Sequence, residues 1–265
     1  MTALELESVS KQFVTPDGGS YRALENVSLA VRAGAFVAIV GPSGCGKSTL
    51  LNIAAGLQPP SSGSVRVDGE PLSGLNRRAT YMFQQDALLP WKNVRDNVAL
   101  GLVLAGMPKP SAHERANTWL ARVGLESFAA HYPSQLSGGM RKRVAMAQNL
   151  ALDRGQLLMD EPFGALDVHT RQLMETELLA LWEREGKRKT VLFVTHDLEE
   201  AIALADEVVV LSAGPATRIV ARHAVTLPRP RDLMELRTSA VFIHLYNALW
   251  SVLREEVIRS QARRA

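Results

Sequence analysis

A single cysteine, Cys45, in 265 residues leaves no internal disulfide to form, which excludes an oxidised secreted scaffold and fits a reducing cytosol. Excess charge of one sign is also missing: 30 Lys plus Arg stand against 27 Asp plus Glu, a formal net charge of +3, so charge-driven binding to nucleic acid is not the default. No long apolar run is present. The longest uncharged stretch, Val98 to Met107, covers about half of the roughly 20 residues that a membrane-spanning helix needs, and the chain is not expected to cross a bilayer by itself. The opening residues Met1-Thr2-Ala3-Leu4-Glu5-Leu6-Glu7 carry acids where a signal peptide needs a basic flank and an apolar run, so no export is predicted. Internal repeats and low-complexity segments are lacking too.

What is there is enough apolar material for a packed core, 46% hydrophobic against 22% charged. Short apolar stretches bounded by turn residues predict strands at Leu4–Val9, Val27–Val31, Phe36–Val40, Ser64–Val67 and Thr80–Phe83. Helical spacing takes over between Val94 and Gly124 and again over Arg141–Leu152. A strand follows at Gln156–Met159, a helix over roughly Thr170–Arg184, and strands at Thr190–Val194 and Glu207–Leu211. Strands alternating with helices predict an α/β sheet. Pro59 to Gly63 predicts a loop, Gly186 to Lys189 a helix end, and Leu227 to Asp232 the start of a tail whose later part, Val241–Ile258, is helical and packs on the core.

Phe36–Val40 runs directly into Gly41-Pro42-Ser43-Gly44-Cys45-Gly46-Lys47-Ser48, and Thr49 to Ala55 continues with helical spacing. A strand, a glycine loop and a helix in this order place backbone N–H groups around phosphate oxygens, with the helix N-terminus adding partial positive charge. Lys47 would reach the β and γ phosphates, and the Ser48 hydroxyl would ligate Mg²⁺. A positive cradle can lower a thiol pKa, but Cys45 reads as a small residue rather than a catalytic one.

Gln156 to Pro162 is an apolar strand ending in Asp160 and Glu161. Asp160 is the candidate to hold the magnesium shell opposite Ser48. Side-chain alternation is expected to turn Glu161 away from it, toward an attacking water, as the general base. A third strand, Val191 to Val194, runs out into Thr195, His196 and Asp197. Parallel strands would bring all three carboxyl ends to one crevice.

Leu136-Ser137-Gly138-Gly139-Met140-Arg141 stands about twenty residues before the acidic strand. In that position, between the glycine loop and Asp160-Glu161, it resembles the signature motif of ATP-binding cassette ATPases, over Leu4 to about Leu211. The resemblance implies a P-loop, RecA-like nucleotide-binding core with an antiparallel β subdomain and an inserted α-helical subdomain at about 92–152, an ATPase domain over 1–226 and a tail over 227–265. It implies Phe13 as the aromatic on adenine, with Tyr21 as its rival, and Gln84 as the sensor of magnesium and the γ-phosphate. Ala165-Leu166-Asp167 would be the loop crossing a dimer interface, and His196 the switch histidine. Two chains would face head to tail around ATP and Mg²⁺, with Ser137, Gly138 and Gly139 of one donating to the γ-phosphate held by the other. The chain departs from the family pattern at Gln148 and Asn149, where an arginine and a small residue are usual, and a tuned rate is expected.

Met82 to Val98, with Leu88-Leu89-Pro90-Trp91 as an apolar socket for a partner helix, resembles the glutamine loop of importers for nitrate, sulfonates and taurine. So does the tail segment from Leu227, with Phe242, Leu245, Leu249 and Trp250 following. This subgroup implies hydrophobic permease subunits, a periplasmic or lipoprotein binding protein, a peripheral place on the cytoplasmic face of a bacterial inner membrane, and no direct nucleic acid. The competing readings are a cassette acting on nucleic acid or ribosomes, the ATPase subunit of an exporter, and a nucleotide-dependent kinase or switch. The first of these usually carries a second cassette or a long coiled insert, and the last lacks the Leu136–Met140 motif.

Overall fold

The computed structural model describes residues 1–164, 166–184 and 188–263. Strands β1 (Thr2–Val14), β2 (Ser20–Arg32), β4 (Ser62–Val67) and β5 (Glu70–Pro71) form an antiparallel sheet in the order β2-β1-β4-β5. A second sheet takes β3 (Phe36–Val40), β6 (Ala79–Met82), β7 (Gln156–Asp160), β8 (Thr190–Val194), β9 (Glu207–Leu211) and β10 (Ile219–Ala224) in the order β10-β9-β3-β8-β7-β6. Its members are parallel except β10, which runs antiparallel to β9.

The apolar runs explain why this second sheet lies inside. Successive strand residues point to opposite faces, and every residue of β3, β7 and β8 is buried. Phe36, Ala38 and Val40 join a large core with the helices on one face. Val37 and Ile39 join a second core, against the antiparallel sheet and α1 (Lys47–Ala54), on the other. Burial on both faces is what a parallel sheet requires.

Between β6 and β7 the chain makes the helical insert: α2 (Val94–Leu104), α3 (Lys109–Arg122), two 3₁₀ turns and α4 (Gly138–Ala151). Gly106, at φ +94°, and Pro108 break the predicted helical stretch into α2 and α3. The helix α4 starts three residues before the Arg141 that periodicity marked, because Ser137 caps it and the two glycines form its first turn. After β7 come α5 (Val168–Arg184) and α6 (Leu198–Leu204). The predicted loop at Pro59–Gly63 is shorter than expected, since β4 already begins at Ser62. Ala165, Glu185, Gly186 and Lys187 lie outside the described residues, and with them part of the predicted interface loop and helix end.

The tail carries α7 (Leu233–Leu236) and α8 (Ala240–Ala262) and places Leu227, Leu233, Phe242, Leu249 and Leu253 in the larger core. Its two leading arginines close the end of α6. Arg231 donates to the Ala203 and Ala205 carbonyls at 2.9 Å each, and Arg229 to the Leu204 carbonyl at 2.6 Å, satisfying acceptors that a helix terminus leaves open. Glu256 of α8 accepts from the Ala213 N–H at 2.8 Å, holding the loop after β9. No described helix is long and apolar enough to cross a membrane.

Candidate active site

The register of the central strands builds the site. Ile39 of β3 and Asp160 of β7 both pair with Val194 of β8, and Met82 of β6 pairs with Met159. The glycine loop, the acidic pair, His196 and Gln84 therefore leave four adjacent strands at one level, at their carboxyl ends.

Gly41 must be glycine because a β-carbon there would lie 2.8 Å from Cys45 Sγ and 3.2 Å from the Leu211 carbonyl. Gly46 caps α1 at φ +94°, a left-handed conformation that costs glycine nothing. Lys47 opens α1 with only 6% exposure. Its ammonium donates to the Gly41 carbonyl at 3.0 Å and the Pro42 carbonyl at 3.2 Å, with Glu161 Oε1 at 3.9 Å as its acidic neighbour among the described residues. A buried cation with so little countercharge fits a site that awaits an anion. Cys45 is buried, and desolvation raises its thiol pKa, outweighing the pull of Lys47. The thiol is thus not activated by the cradle.

The Ser48 hydroxyl donates to Asp160 Oδ1 at 3.0 Å, and the Tyr81 hydroxyl reaches Asp160 Oδ2 at 3.4 Å and Asn52 Oδ1 at 2.9 Å. Burial pushes the Asp160 carboxyl above its ordinary range, and the nearby Glu161 charge adds to this against the Ser48 and Tyr81 bonds and Lys47. An oxygen pair held 3.0 Å apart, one of them a desolvated carboxylate, suits a hard divalent cation. Among the described residues no set of three acidic, His or Cys side chains forms a ready-made cation cage.

Glu161 departs from the expectation that strand alternation aims it. Its φ is +42°, a left-handed conformation unfavourable for a side chain with a β-carbon, so a sharp turn after β7 sets its direction. Glu161 Oε2 lies 3.0 Å from His196 Nδ1 and 3.4 Å from Gln84 Nε2. Strain concentrated at one carboxylate, and held there by its neighbours, is typical of a functional position. Two adjoining groups result, Lys47, Gln84 and His196 around Glu161 and Ser48 with Tyr81 at Asp160, and they meet where Lys47 precedes Ser48 and Asp160 precedes Glu161 in the chain.

Other predicted residues lie elsewhere. Ser137 accepts from the Met140 N–H at 3.3 Å as the cap of α4, and Asp167 accepts from the Thr170 N–H at 3.0 Å. Gly139 allows close packing, since a β-carbon there would lie 2.8 Å from Thr170 Cγ2. Among the described residues no hydrogen bond or ion pair joins Ser137, Gly138, Gly139 or Asp167 to either group. Phe13 packs on the second core under the Lys11 ammonium, 5.3 Å from its ring centre. Tyr21 sits opposite Phe13 in the β1–β2 ladder, and its hydroxyl approaches the glycine loop: a β-carbon on Gly214 would lie 3.3 Å from that hydroxyl and 3.5 Å from the Gly44 carbonyl. Gln148 and Asn149 line a cavity of about 320 Å³ between β6 with its following loop and the helical insert, away from Lys47 and Glu161.

Three residues that motif reading passed over complete the surroundings. Asn97 is fully buried, accepts from the Leu89 N–H at 2.7 Å and donates to the Leu89, Lys92 and Asn93 carbonyls, which fixes the Leu88–Trp91 segment. Asp86 and Lys142 join the loop after Gln84 to α4. A polar residue on the apolar face of α2 was the one signal for Asn97; the other two look like ordinary surface charges.

The family model described as ABC transporter matches residues 24–164. The taurine import ATP-binding protein TauB of Burkholderia pseudomallei strain K96243 is 50% identical over 242 residues, 90% of this chain and 92% of that protein. TauB of Escherichia coli K12 is 47% identical over 213 residues, 80% and 82% of the two chains. An uncharacterized ABC transporter ATP-binding protein of Methanocaldococcus jannaschii, MJ0412, is 45% identical over 257 residues, 97% and 93%. Among solved structures, the dimeric ABC transporter cassette MJ0796 superposes with a TM-score of 0.75 at 34% identity, covering 85% of this chain and all of that one. The same cassette bound to ADP and phosphate after hydrolysis gives 0.74. With its glycine loop, acidic strand end and His196 on neighbouring strands of this fold, the chain belongs to the ABC transporter family, as one of its ATP-binding, ATP-hydrolysing subunits.

Proposed function

We propose that this subunit works as a homodimer around two ATP molecules and drives an importer for a small anion such as taurine, another sulfonate or nitrate. The observation that carries the catalytic part is the pair of adjoining contact groups, Lys47, Gln84 and His196 around Glu161 and Ser48 at Asp160, at four neighbouring strand ends. The glycine loop from Gly41 to Thr49 wraps the phosphates with backbone N–H groups, and Lys47 turns from the Gly41 and Pro42 carbonyls to the terminal phosphates. Ser48 and Asp160, together with Gln84, would hold Mg²⁺, which when bound would neutralise charge developing on the phosphate oxygens. Glu161 accepts the proton of the attacking water, and His196, 3.0 Å from it, holds that carboxylate in place. The adenine rests against the Phe13–Tyr21 rung of the β1–β2 ladder. Ser137, Gly138 and Gly139 lie away from these groups because they serve the partner protomer's nucleotide, with Asp167 crossing between the two chains. The capped N-terminus of α4 then supplies positive field where an arginine would otherwise be needed.

The permease side is read from two separate observations, the 320 Å³ cavity beside the loop after β6 and the 71% exposure of Trp91 further along the chain. A permease helix seated there places the subunit on the cytoplasmic face of the inner membrane, with a periplasmic or lipoprotein binding protein delivering cargo outside. The taurine reading leans on the names of the Burkholderia and Escherichia relatives. Glu161→Gln tests the chemistry: ATP binding is expected to survive, turnover to fall roughly 10²- to 10⁴-fold, and an ATP-bound dimer to accumulate in ultracentrifugation. Hydrolysis near the wild-type rate would remove Glu161 as the base. Uptake of taurine, alkanesulfonates and nitrate by the complex reconstituted with its permease and binding protein decides the cargo.

A further inference from the structure

We infer that Lys142 is a positioning residue that locks the Gln84 loop to the signature helix, so that the groups one protomer offers to two different nucleotides move as one body. This rests on the two-site reading above. Lys142 is 3% exposed, a depth that lysine reaches only with partners. Its ammonium donates to the main-chain carbonyl of Gln84 and lies 3.1 Å from Asp86 Oδ1. The neighbouring Arg141 takes the other oxygen, Nε to Asp86 Oδ2 at 3.1 Å, and its guanidinium also donates to the Leu136 carbonyl at 2.8 Å. Successive residues of α4 therefore grip both oxygens of Asp86 and the backbone of Gln84, and Arg141 ties the same grip to the residue just before Ser137.

The consequence is directional. The Gln84 side chain points to Glu161 of its own protomer, while Ser137, five residues before Lys142, caps the helix end that faces the partner's nucleotide in the proposed dimer. The clamp is thus a short, buried link between the two composite sites. A shift of Gln84 when its own γ-phosphate arrives or leaves is passed to the signature helix through Lys142 rather than through a mobile side chain in water. A lysine that served only the fold would need some acceptor; this one holds the carbonyl of the residue that senses the phosphate.

The test uses the full-length chain with Lys142→Met, which removes the donor while keeping the stem, and Lys142→Gln, which keeps a donor for the Gln84 carbonyl. Lys142→Met is expected to lower kcat about tenfold and bring the Hill coefficient for ATP from above one to one, with monomer affinity for nucleotide within about twofold. Lys142→Gln should return kcat to within about threefold of wild type. Should Lys142→Met not fold, Asp86→Asn carries the same expectation for kcat and Hill coefficient. A wild-type kcat and Hill coefficient in Lys142→Met, or Lys142→Gln behaving like Lys142→Met, overturns the role of Lys142. Absence of ATP-driven dimerisation in Glu161→Gln with Lys142 intact overturns the two-site reading instead, so the two failures are distinct.

Discussion

Replacing Glu200 by glutamine is expected to stabilise the protein at neutral and alkaline pH and to do little in acid. Glu200 lies in the first turn of α6, four residues after His196, with 3% exposure. Burial pushes its carboxyl from 4.5 up to about 8, the Glu175 and Asp197 charges adding to the effect while the Thr195 hydroxyl and Arg171 oppose it. The folded-state pKa is raised, so between pH 4.5 and 8 the folded chain keeps a proton that the unfolded chain has released. Stability from this group is therefore full below the unfolded value and is lost as pH rises through the folded one. At pH 7 the interval above the unfolded value is two and a half pH steps, a penalty of about 3 kcal/mol, and it approaches its ceiling of about 5 kcal/mol above pH 8. Glutamine keeps the shape and drops the penalty. Urea unfolding of the two chains with a common m-value is the assay: the gain should be under about 1 kcal/mol at pH 5 and about 3 kcal/mol or more at pH 8. An equal difference at both pH values, or a less stable variant at pH 8, refutes the assignment of a buried, neutral Glu200.

Gly41→Ala puts a β-carbon 2.8 Å from Cys45 Sγ and 3.2 Å from the Leu211 carbonyl; the crowding should cost about 1–3 kcal/mol of stability and, by displacing the carbonyl that anchors Lys47, weaken nucleotide binding in a fluorescence titration. Trp91→Ala removes a side chain that is 71% exposed, so stability should change by no more than about 0.5 kcal/mol and ATP affinity should hold. Copurification with the permease should weaken in that variant, and unchanged assembly and transport would move the docking site away from Trp91.

Local chemistry alone made the glycine loop and the acidic strand end of the candidate site legible. The order of strand, glycine loop and helix at Phe36–Ala55, the acids ending the strand at Asp160, and a histidine ending the next strand are legible because each depends on residues adjacent in the chain. The buried parallel strands were equally plain, since burial on both faces demands continuous apolar runs such as those of β3, β7 and β8. The strand β10 was not, because half of its Ile219–Ala224 side chains face outward and interleave Arg222 and His223 with apolar residues. Which aromatic approaches the glycine loop, how Glu161 is aimed, and what Asp86, Asn97 and Lys142 hold were decided only by tertiary structure. Each depends on segments distant in sequence, such as Gln84 and Lys142, 58 positions apart. A side chain's type records what it can bond, whereas its partner is set by the register of the sheet and the packing of the helices around it.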